Sequence, residues 1–192
     1  MARDDQTDTD HRRNVLTSPQ LRLVGGVDEA MYNEFRNQLS AAPGDGPLTI
    51  AITTLGGNPE IARAMAADVR LIAETGRALY FLGKAAVYSA GATFMAGFPI
   101  ERRFMTEGSS LLLHERQITR TIDLSGPLRS CTAQLKAALH EIEHSITIEE
   151  DGFRAIVDGS DVGFEELREK APDNWYLPCD EAQQRGLIAG VV

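Results

Sequence analysis

Three short apolar runs, two of them followed by helix-patterned segments, most limit what this chain can fold into. Leu48-Thr49-Ile50-Ala51-Ile52-Thr53 stops at Gly56-Gly57-Asn58-Pro59, Ala78-Leu79-Tyr80-Phe81-Leu82 follows later, and Ser110-Leu111-Leu112-Leu113 ends in His114. Runs of this length, bounded by turn residues, read as strands covered on both faces, and such sheets are the parallel ones. Between them, Ile61, Met65, Val69 and Ile72 share one helical face, and residues 89–96 are small and apolar, as in a buried helix. Upstream, Leu21-Arg22-Leu23-Val24 alternates like a strand. Asp28 is then placed to cap a helix carrying Met31, Phe35 and Leu39. Alternation of this kind predicts an α/β domain with a mostly parallel sheet. Residues 128–148 form a long helical pattern with Leu135, Leu139, Ile142 and Ile146 on one stripe. Residues 151–170 are more polar, with one short helix from Phe164. A helix over 181–185 and a short strand over 187–189 close the chain.

The length of 192 residues and a 43% hydrophobic content suit one well-buried core. Residues 1–18 are charged and polar and are expected to form a flexible tail, leaving 19–192 as the domain. A net charge of −9 disfavours nucleic acid, because phosphate binding needs a basic surface. Cys131 and Cys179 are far apart and in no Cys-x-x-Cys pattern, against a disulfide scaffold or a thiolate zinc site. The first ten residues lack the apolar core of a signal peptide, and no run reaches the length of a membrane span. The expected location is a reducing cytoplasm.

Three features point to chemistry. Ser89 follows an apolar run and opens the small, apolar Ala90-Gly91-Ala92 segment, so its hydroxyl lies outside the helical ladder beside free N–H groups. The same residue could be a plain N-cap, and Val87 stands where a Gly-x-Ser-x-Gly elbow has its first glycine. Gly56-Gly57 sits just past a strand end, where ligands of parallel sheets gather and where glycine can aim a backbone N–H into a cleft. An ordinary turn reads equally well. His114 ends a buried strand, as a satisfied core residue or as a general base for a serine.

Taken together, Gly56-Gly57, Ser89-Ala90-Gly91-Ala92 and Leu112-Leu113-His114 resemble the proteolytic subunit of the ATP-dependent Clp protease, of the ClpP/crotonase superfamily. Leu23-Val24-Gly25-Gly26-Val27-Asp28 resembles that family's opening strand and turn. Trp175-Tyr176-Leu177, Glu181-Ala182 and Gly186-Leu187-Ile188 resemble its closing segment. The resemblance implies repeated β-β-α units with a mostly parallel sheet, and a projecting handle helix from Leu128 through which rings of subunits pair. It implies a serine peptidase with Ser89 as nucleophile, His114 as base, and the N–H groups of Gly57 and Ala90 as the oxyanion hole. Peptides or unfolded proteins would be the substrates and a homo-oligomeric ring the assembly. No metal or organic cofactor is implied. Any ATP would belong to a partner unfoldase.

The pattern is broken in two places. Ungapped alignment on the closing segment puts Asn174 where the family carries its catalytic Asp, with Asp173 adjacent. Asn orients an imidazole without stabilising its positive charge. His114 is followed by Glu115-Arg116 instead of the family's usual Gln-Pro. Other readings are a non-catalytic ring subunit, a crotonase-like acyl-CoA enzyme with no carboxylates placed for it, and a zinc peptidase on His140-Glu141-Ile142-Glu143-His144. That last motif falls on the helix face opposite the apolar stripe.

Overall fold

The computed structural model describes residues 15–192. β1 (Leu21–Val24), β2 (Leu48–Thr54) and β3 (Leu79–Tyr88) lie side by side in parallel, joined by α1 (Glu29–Ala41) and α2 (Pro59–Glu74). The crossover helices start where side chains can satisfy their free N–H groups. Asp28 accepts from the Met31 N–H at 2.9 Å, and Asn58 accepts from Glu60 at 2.9 Å, with Pro59 in the first turn.

β3 forks the sheet. Its Phe81–Gly83 stretch pairs with β4 (Arg103–Met105), which pairs with β7 (Gly190–Val191). Its Ala86–Tyr88 stretch pairs instead with β5 (Ser110–Leu113), which takes β6 (Trp175–Pro178) antiparallel. Between the two halves Ala85 has φ 55°, and the register against β2 shifts between Ile52 and Thr54. A bulge of this kind bends a strand and re-aims its end. The re-aimed end leads directly into α3 (Ala90–Met95). Beneath it, Phe35, Phe81, Phe94 and Phe98 pack edge to face, with ring centroids 5.4 to 6.1 Å apart.

The chain is completed by α4 (Leu128–Val157), α5 (Phe164–Lys170), a 3-10 turn (Ala171–Asp173) and α6 (Cys179–Gln184). Helix α4 runs nine residues beyond the expected end at 148, because its apolar pattern resumes with buried Phe153, Ile156 and Val157. Its outer part meets little more than residues 115–120, through pairs such as Arg120 with Glu141. Leu128, Leu135, Leu139, Ile142 and Ile146 are exposed, so much of the stripe is left uncovered by its own chain.

Strand β4 escapes a reading by hydropathy because it opens on Arg103. That side chain is nonetheless buried: its guanidinium donates to the carbonyls of Phe98 and Ile156, both at 2.8 Å, and burial lowers its pKa to about 10. The last strand is Gly190–Val191 rather than 187–189, although Leu187 and Ile188 are buried. Of the expected tail, residues 1–14 lie outside the described residues. Leu16, within the expected tail, is buried against Ala51, Leu82 and Phe104, and the Thr49 hydroxyl donates to the Val15 carbonyl at 2.8 Å. The packed chain therefore begins no later than Val15. Among the described residues no helix is long and apolar enough to cross a membrane.

Candidate active site

Ser89 joins β3 to α3 with φ 55° and ψ −112°, a region that L-residues avoid at a cost of about 1–3 kcal/mol. It is the helix N-cap by position, yet its hydroxyl makes no capping hydrogen bond. The plain-cap reading therefore fails. The strained strand-to-helix turn does what an elbow does in hydrolases that carry more glycine: it lifts the hydroxyl out of the backbone ladder. The Ser89 N–H donates to the Leu112 carbonyl at 2.9 Å, which stitches the turn to β5 two residues before His114. On the other flank the Tyr88 and Ser110 hydroxyls meet at 2.8 Å, and the Tyr88 ring sits edge-on to Tyr176.

Gly56 and Gly57 have φ 109° and 145°. A Cβ on Gly56 would lie 2.9 Å from the Ser89 Cβ, so the missing side chain is what lets this turn approach the serine. Gly57 bridges to Val27, where a Cβ would stand 2.4 Å from the Val27 carbonyl oxygen. Among the described residues, neither the Gly57 N–H nor the Ala90 N–H meets an acceptor. Gly57→Ala combines a forbidden φ with a clash against backbone. It is expected to cost about 3 kcal/mol or more, read as a lowered denaturation midpoint with unchanged m-value.

His114 follows β5, and β6 runs antiparallel beside it with Leu113 opposite Trp175. Continuing that register by one residue places Asn174 across from His114. Asp173 falls in the 3-10 turn, one residue outside the ladder. Asn174 is exposed with φ 59°, a left-handed conformation that Asn tolerates, and its N–H donates to the Ala171 carbonyl at 3.1 Å. Neither the Ser89 hydroxyl nor the His114 ring takes a hydrogen bond among the described residues.

Ser89, His114, Gly57 and Ala90 all line one cavity of about 210 Å³. Its far wall comes from the base of α4: Ile148, Glu149, Gly152, Phe153 and Ile156. These residues were not anticipated as part of a site. Phe153 and Ile156 continue the helical spacing that runs through Ile146, but the polar stretch after Glu149 hides it. Glu115 and Glu149 bring two carboxylates to the cavity that the sequence did not place there. Burial pushes the Glu149 carboxyl above its usual range, while the Arg116 N–H it accepts works the other way.

The zinc-peptidase motif gathers nothing. His140 and His144 are exposed, Glu141 pairs with Arg120, and among the described residues no three His, Cys, Asp or Glu side chains converge as metal ligands would.

No family model matches the chain. In sequence it is similar to the ATP-dependent Clp protease proteolytic subunit 3 of Rhizobium etli, 23% identical over 181 residues that cover 93% of this chain and 86% of that protein. The protein of the same name in Rhizobium johnstonii is 22% identical over the same coverage. In structure it matches an Asn-to-Asp mutant of ClpP1 from Listeria monocytogenes with a TM-score of 0.72, covering 94% of each chain at 18% identity. The chain thus has the ClpP-like α/β fold and a ClpP-like sequence.

Proposed function

We propose that this ClpP-like chain is a serine peptidase that cleaves peptide bonds through an acyl-enzyme. Ser89 Oγ attacks the scissile carbonyl carbon as His114 takes its proton. The carbonyl oxygen, now an oxyanion, is held by the N–H groups of Gly57 and Ala90. His114 then protonates the leaving amine, and a water molecule releases the acyl group by the same steps in reverse order. Asn174 holds the imidazole orientation. The observation that carries this reading is Ser89 itself: a strained, non-capping serine, stitched to the strand that ends in His114 and sharing a cavity with it. In this conformation the nucleophile and base are not hydrogen-bonded. Such contacts commonly tighten only when substrate binds.

Labelling with a serine-directed phosphonate tests the proposal. Modification at Ser89 that vanishes in His114→Ala is the expected result. A folded, assembled protein that never labels would instead make it a non-catalytic ring subunit, the reading that the neutral Asn174 favours.

Assembly into a ring belongs to the same proposal, as does a partner ATPase that unfolds its substrates; the curated relatives are named as subunits of an ATP-dependent protease. The exposed stripe of α4 is the surface expected to meet a second copy. Burying one leucine or isoleucine contributes about 1.5–3 kcal/mol. Leu139→Glu with Ile142→Glu should therefore weaken association at least about tenfold, seen as a lower solution mass at equal concentration.

A further inference from the structure

We propose that Arg116 is a positioning residue for this site, bracing the glycine turn, the His114 segment and the base of α4 against one another. Residues 114–125 form no regular element, so no ladder fixes the chain just after the candidate base. Arg116 supplies two anchors instead. Its N–H donates to the Glu149 carboxylate, and its Nη1 pairs with Glu60 Oε1 at 2.6 Å. Only 21% of its side chain remains exposed. Glu60 lies in the first turn of α2, three residues after Gly57, and also pairs with Arg63 at 2.6 Å. Glu149 lies one helical turn before Phe153 of the cavity wall. A single residue thus ties together three of the four pieces of chain that bring groups to the cavity, all but the segment from Ser89 to Thr93.

The charges are consistent with a lasting contact. Burial pushes Glu60 upward, but the Arg116 and Arg63 guanidiniums outweigh it and hold its carboxyl below the usual range, so it stays ionised at neutral pH. The family pattern resembled here has proline at the Arg116 position. Proline would stiffen the segment through its ring, with no partner required. An arginine achieves the same end through contacts that salt can loosen.

The kinetic readout of this inference rests on the peptidase reading; hydrogen exchange does not. In full-length Arg116→Met and Glu60→Gln proteins, the amides of Asn58, Glu60, Ile61 and Arg116 should all exchange about 2- to 5-fold faster, the span of a modest ion pair. The double variant should be no worse than either single one. kcat should fall by a similar factor with KM unchanged, and Arg116→Lys should recover part of it. Faster exchange confined to residues around Arg116, or losses that add in the double variant, would overturn the brace. If wild-type protein never labels at Ser89 yet the exchange of 58–61 responds as described, the peptidase reading falls and the brace stands.

Discussion

Ser89→Ala and His114→Ala are each expected to lower kcat by about 10⁴-fold or more, with KM for a short peptide changed little, because residues acting as one unit fail together. The double variant should be no slower than either alone. Additive losses would mean that the two side chains act in separate steps. Ser89→Gly carries a further consequence. Glycine accepts φ 55° and ψ −112° without the clash that serine suffers there. The variant should therefore be inactive and more stable by about 1 kcal/mol, after allowing for the greater freedom of glycine in the unfolded chain. Equal or lower stability would show that the surroundings do not force the strain on Ser89.

Asn174→Asp is expected to raise kcat about 10³-fold. A unit charge about 4 Å from the imidazolium, at an effective dielectric of 20, is worth about 4 kcal/mol. A neutral carboxamide supplies orientation and little of that energy. The backbone should tolerate the change, since Asp as well as Asn adopts the left-handed conformation found at this position. The apparent pKa of the base in a pH–rate profile should rise in parallel. A rate unchanged by Asn174→Asp, together with a large loss in Asp173→Asn, would transfer the orienting role to the neighbouring residue.

Much of the fold was legible because its strands are apolar runs and its first two crossover helices begin on Asp28 and Asn58. What stayed hidden was held by tertiary contacts that local pattern does not report. Arg103 reads as a surface residue until the carbonyls of Phe98 and Ile156 surround its guanidinium. Leu16 reads as part of a tail until the outer face of β2 and β3 covers it. Ser89, His114 and Gly57, which line one cavity, were singled out by their order along the chain. The α4 wall was not, because a helix that begins far from the cavity reaches it only at its last turns. The strain at Ser89 was likewise invisible: nothing in Tyr88-Ser89-Ala90 announces a positive φ.

The fork in β3 has a mechanical meaning. His114 and Asn174 both sit at the end of the two-stranded ribbon made by β5 and β6, whereas Ser89 belongs to the strand from which that ribbon branches. Tilting the ribbon would carry His114 and Asn174, the proposed base and its proposed orienting partner, as one body, widening or narrowing their distance to the Ser89 hydroxyl. Such a rotation would alter the reach from His114 to Ser89 and leave the β5–β6 pairing intact.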